Sequence, residues 1–88
     1  MGQPVHFQEE PRSRLVTIYC VQAYWRDREK LAKGRFQQFG TEAAARGAGK
    51  AAALRNAGVV VFSVRGSPEA DYWEEPMVLA IHGEKPLA

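Results

Sequence analysis

The feature that most constrains this chain is the run at residues 15–25, Leu-Val-Thr-Ile-Tyr-Cys-Val-Gln-Ala-Tyr-Trp. β-branched and aromatic side chains dominate it, and these fit a pleated surface better than a helix. Successive side chains of a strand point to opposite faces. One face then carries Val16, Ile18, Cys20, Gln22 and Tyr24, and the other Leu15, Thr17, Tyr19, Val21, Ala23 and Trp25. Both are largely apolar, so this strand belongs at the centre of a sheet.

The rest of the chain is read around that strand. Residues 26–30 (Arg-Asp-Arg-Glu-Lys) are too charged for a core and mark a turn. A second strand returns within residues 31–39 on Leu31, Phe36 and Phe39. Gly34, Lys33 and Arg35 give it the character of an edge, because edge charges discourage pairing with other chains. Thr41 is an N-cap candidate and Glu42 suits the positive end of a helix dipole. An alanine-rich helix is predicted from there to near Ala57, with Gly58 as its left-handed cap. Its apolar stripe is expected at Ala43, Gly47, Ala51 and Leu54, with Ala44 and Ala48 beside it. Residues 59–64 (Val-Val-Val-Phe-Ser-Val) form a short buried strand on length and β-branching. Residues 65–73 read as a loop, and Pro76 opens a last strand over residues 77–82.

The order strand–strand–helix–strand–strand predicts an α+β fold, a four-stranded, mainly antiparallel sheet of order 2-1-3-4 with one helix on one face. Length agrees: 88 residues make one domain, with a thin core. Residues 1–13 are polar and contain Pro4 and Pro11, so they are expected as a flexible arm before a single domain at 14–86. The first ten residues lack the basic start and apolar stretch of a signal peptide, and no run is long enough to span a membrane. A cytoplasmic protein with no membrane partner is therefore expected.

Residues 19–25, the alanine-rich helix, residues 58–63 and residues 79–86 (Leu-Ala-Ile-His-Gly-Glu-Lys-Pro) are together similar to short uncharacterised bacterial proteins with the same strand–strand–helix–strand–strand pattern. The similarity spans residues 15–86. It implies a bacterial, cytoplasmic, single-domain protein and brings no activity or site residues. Residues 47–57 resemble the start of the last helix of a double-stranded-RNA-binding domain. Only Lys50 matches that family's phosphate-gripping lysines, and two strands follow where that fold ends, so its function is not carried over.

The inventory of reactive groups is short. Cys20 is the one cysteine, and His6 and His82 are the two histidines. One thiol makes neither an intrachain disulfide nor a cysteine-rich metal site. Within a central strand Cys20 is expected to be a small buried hydrophobe. Glu69, Asp71, Glu74 and Glu75 read as a solvated acidic loop, and Gly47-Ala48-Gly49-Lys50 lacks the spacing and the preceding strand of a phosphate-binding loop. No nucleophile, base and orienting group can be assembled, so no catalytic residue, metal or cofactor is assigned and no enzyme is expected.

What the sequence does offer is an imbalance. Three strands are apolar on both faces, yet one helix covers one face. The other should be covered by a second copy or a protein partner, and Tyr19, Val21 and Trp25 are candidates for that interface. The leading expectation is a non-enzymatic binding or assembly module, such as a homodimer. A second is a nucleic-acid-associated protein. Arg26, Arg28, Lys30, Lys33 and Arg35, with Lys50, would contact phosphates, and interleaved Tyr24, Trp25, Phe36 and Phe39 would stack. A third is a small-ligand binder between the sheet and the loop at residues 65–75.

Overall fold

The computed structural model describes residues 14–86. The expected N-terminal arm, with His6, lies outside them. The fold is α+β, as the sequence implies. β1 (Val16–Asp27) and β2 (Lys30–Phe39) form a long hairpin, α1 (Glu42–Ala52) follows, and β3 (Gly58–Ser67) returns beside β1. β4 (Tyr72–Trp73) and β5 (Met77–Gly83) both pair with β3. All pairings are antiparallel, and the order β2-β1-β3 holds the expected centre. β5 flanks the first part of β3 and β4 flanks its end. The expected loop at residues 65–73 is thus mostly strand: Gly66 pairs with Trp73 and Ser67 with Tyr72.

The helix begins where the sequence placed it. The Ala44 N–H donates to Thr41 Oγ1 at 3.2 Å, and Arg46 Nε donates to Glu42 Oε2 at 2.6 Å one turn on. It ends earlier, at Ala52, and the cap is Ala53 in right-handed helical conformation. Gly58 is therefore no left-handed cap. It opens β3, where a Cβ would fall 2.1 Å from the Glu84 carbonyl oxygen. Close approach of two backbones, not a positive φ, requires that glycine.

The buried helix stripe also differs from expectation. Ala45 and Gly49 are buried, and Ala48, Ala52 and Ala53 are half-buried against the core. Ala43, Gly47 and Ala51 face out, and Leu54 is 88% exposed. Glu42, Arg46 and Lys50 mark one polar stripe, but alanines fill the other sides, so hydropathy did not say which of them would be buried. Shape decides instead. Gly49 sits directly over β3, where a Cβ would come within 2.5 Å of Val61 Cγ2. Around that contact Val21, Ala23, Ala45, Val59 and Val61 form the core, with Tyr19, Phe39 and Leu79 packed beside it.

The two helix glycines give opposed tests. Gly47→Ala meets nothing within 4 Å, so it should stabilise by about 0.5–1 kcal/mol through helix propensity. That raises Tm by about 4–8 °C per kcal/mol in a domain of this size. Gly49→Ala gains the same propensity but overpacks a β-branched, fully buried neighbour, at a cost of about 1–3 kcal/mol. Thermal unfolding should place Gly49→Ala below the parent and Gly47→Ala above it. A Gly49→Ala protein as stable as Gly47→Ala would contradict the close seating of the helix.

Candidate functional site

Pairing register assigns each side chain to a face. On the helix side lie Tyr19, Val21, Ala23, Val59 and Val61, in register with Phe39, Gln37 and Ala80. On the far side the rows read Phe36–Gln22–Val60–Ile81, then Gln38–Cys20–Phe62–Val78, then Ile18–Val64. No charge stands among these ten residues. Phe36 is 48% exposed, Val78 56% and Ile81 41%. Phe36 and Phe62 are in ring contact at 6.5 Å between centroids, bridging β2 and β3 across β1. Trp73 extends the patch. Its ring lies over Gly66, where a Cβ would fall 2.4 Å from Trp73 Cε3.

The sequence-based interface residues fall on the other side. Val21 is fully buried beneath the helix, and Tyr19 packs against the same core. Trp25 shares their face at the open end of β1, with its Cδ1 close over Gly34. Among the described residues, the face left uncovered by the helix holds Ile18, Cys20, Phe36, Val60, Phe62, Val64, Val78 and Ile81. Both sets were apolar in sequence, and the helix selected the odd set because Val21, Ala23, Val59 and Val61 are compact enough to admit its backbone.

One irregularity shapes both faces. Between Gln22 and Tyr24 the β1–β2 register shifts, with Gly34 and Arg35 together facing the region of Ala23. This bulge reverses the alternation of β2. Lys33 pairs with Tyr24 on the bare side, whereas Arg35, two residues on, turns to the helix side. Gln22 fastens the bulge: its Nε2 donates to the carbonyls of Ala23 (2.9 Å), Gly34 (3.1 Å) and Arg35 (3.3 Å). Gly34 within a strand was the sequence signal for it.

The bulge also divides the basic hairpin. Arg26, Lys30 and Lys33 border an open cleft with the C-terminal residues 84–86, and Arg26 pairs there with Glu84. Arg28 occupies the hairpin turn at φ 63°. Arg35 lines a different cleft, between α1 and β2, and Lys50 a third, beside Arg46 and His82. The six cations do not form one stripe, and Phe39 is packed into the core.

Among the described residues no three His, Cys, Asp or Glu side chains converge as metal ligands, and no helix is long and apolar enough to cross a membrane. Comparison with protein-family models, curated proteins and solved structures finds no match. The functional reading rests on geometry alone.

Cys20 is 1% exposed, between Phe62 and Gln38 on the neighbouring strands. Burial pushes its thiol above the ordinary value of 9.0. The folded protein thus disfavours the thiolate, the species that reacts. A disulfide reagent should modify Cys20 at least about tenfold more slowly in the native protein than in the unfolded chain. The sign for stability follows: the unfolded thiol ionises first, so stability should fall as pH rises above about 9. Equal reactivity in the two states would remove the assigned burial.

Proposed function

We propose that the protein is a non-enzymatic assembly module whose bare sheet face docks against a second copy of this chain. The supporting observation is the charge-free block of ten residues on the face opposite the helix, with Phe36, Val78 and Ile81 each more than two-fifths exposed. With the flanking Val16 and Trp73 row, the apolar face extends about 20 Å along β1 and about 15 Å across the strands. That flat extent of about 300 Å² would form the centre of an interface whose standard size is about 800 Å² per partner. Water-exposed apolar patches of more than a few hundred Å² are unusual on monomers.

Charge placement favours a second copy over an unrelated partner. Beyond one end of the block stands the β1–β2 hairpin with Arg26, Arg28, Lys30 and Lys33 against Asp27 and Glu29. Near the opposite end, after β3, stand Glu69, Asp71, Glu74 and Glu75 against Arg65. A two-fold axis lying between the sheets and perpendicular to the strands superposes the basic end of one protomer on the acidic end of the other. That is the self-complementary arrangement an isologous interface requires, and two stacked sheets about 10 Å apart bury both apolar faces. Gln22 raises little obstacle, because its amide protons are already given to backbone carbonyls.

Sedimentation equilibrium should report a dimer at micromolar concentration. Phe36→Glu and Val78→Asp change exposed positions, so both variants should fold, with native circular dichroism. Each should weaken dimerisation at least about 30-fold, the effect of losing a hot spot of about 2 kcal/mol. A full chain that remains monomeric at about 1 mM, the range of a contact worth only about 4 kcal/mol, would overturn the proposal. Dimerisation unaffected by both substitutions would do so too. If only a chain lacking residues 1–13 dimerises, that segment, not a second copy, covers the face in the full chain.

The nucleic-acid reading has less support, since its cations are distributed over four clefts and Arg26 pairs with Glu84.

A further inference from the structure

The cleft between α1 and β2 lies on the helix side of the sheet, away from the bare face, and its lining is unusual in one respect. It holds two arginines and no carboxylate. Arg35 enters from the β2 bulge and Arg55 from the turn after the helix. Gln37 and Asn56 add two amides, and Ala23, Ala48, Ala51 and Ala52 supply an apolar wall. The volume is about 300 Å³, at the small end of the range for ligand sites.

Both guanidiniums are without an ion-pair partner among the described residues. Two other arginines have one: Glu84 for Arg26 and Glu42 for Arg46. Like charges lining one cleft repel unless something neutralises them. Asn56 Nδ2 donates to the Ala52 carbonyl at 2.8 Å, which orients that side chain against the helix end. Alternation along β2 from Phe36 puts Arg35 on the helix side with Gln37, and the bulge turns Lys33, which would otherwise share that side, to the far face opposite Tyr24. Gln22 fixes the Gly34–Arg35 backbone through both carbonyls.

We propose that this cleft binds a small molecule carrying a phosphate or carboxylate group. Arg35 and Arg55 grip the oxyanion from two sides through fork-shaped donor sets, and the apolar remainder of the ligand lies against the alanine wall. The volume admits a monoester of one ring and excludes a polymer from the interior. The site is on the other side of the sheet from the docking face, so its ligand binding is tested separately from dimerisation.

Phenyl phosphate is the probe, titrated into isotope-labelled protein at low salt and followed by backbone amide shifts. Saturable shifts are expected at Arg35, Gln37, Arg55 and Asn56. Inorganic phosphate should shift the same residues but bind more weakly, because it leaves the alanine wall uncovered. Arg35→Ala and Arg55→Ala should each weaken phenyl phosphate at least about tenfold, as expected for loss of a charged hydrogen-bonding group. Both positions are exposed, so the fold should survive, which circular dichroism checks. Lys33→Ala removes the same charge from the other side of the sheet and should leave affinity within about twofold. Three results would overturn the proposal. They are shifts that do not saturate by about 10 mM, an affinity too weak to be a specific site; shifts centred on the hairpin tip; or a Lys33→Ala loss equal to that of Arg35→Ala.

Discussion

The contact between Gly49 and Val61 governs how this small domain is built. With no side chain at Gly49, the α1 backbone settles onto β3, where even a methyl group would meet Val61 Cγ2 at 2.5 Å. A helix that close needs compact residues beneath it, and Val21, Ala23, Val59 and Val61 provide them. The larger groups, Phe36, Phe62, Ile18 and Ile81, are left on the other face. The bare patch is thus the complement of the helix seat. The described residues hold one helix, and a thin core gains much from covering the second face.

The β2 bulge then sorts charge between the two faces. A strict alternation from Phe36 would have put both Arg35 and Lys33 on the helix side. One inserted residue leaves Arg35 there and turns Lys33 to the rim of the far face, opposite Tyr24. Burying an unpaired cation in a docked interface costs several kcal/mol, and Lys33 lies beyond the Phe36–Gln22 row, outside the apolar block. The cleft of Arg35 and Arg55 is thereby spared a third cation.

Much of the fold was legible because the signals were local. The β-branched runs gave β1 and β3, Thr41 and Glu42 fixed the start of the helix, and Pro76 marked the entry to β5. The imbalance of apolar faces was also legible, since it needs only a count of strands and helices. Which face lay bare was not. Val21 differs little in hydropathy from Ile18 and Phe62, and the decision rests on volume under the helix. The alanines of α1 hid its orientation for the same reason. The end of the helix was misplaced because Gly58 serves a close backbone crossing with Glu84, a long-range contact that no local pattern reveals. The Arg35–Arg55 cleft was hidden more deeply. It requires the turn after the helix to bring Arg55 to the same cleft as Arg35, a long-range placement that no local pattern reveals.

The two proposed sites meet at one residue. Gln22 stands in the middle of the bare face, yet its amide protons are spent on the carbonyls that shape the bulge. Hydrogen bonds strengthen when water is excluded from around them. A second copy seated over Gln22 would therefore stiffen the bulge backbone that carries Arg35. In the other direction, an anion held by Arg35 would fix the bulge carbonyls and with them the Gln22 side chain, leaving the apolar face better ordered for docking. Any such coupling is reciprocal by thermodynamic necessity. Its physical carrier would be short: one side chain, three carbonyl acceptors and a single inserted residue in an edge strand.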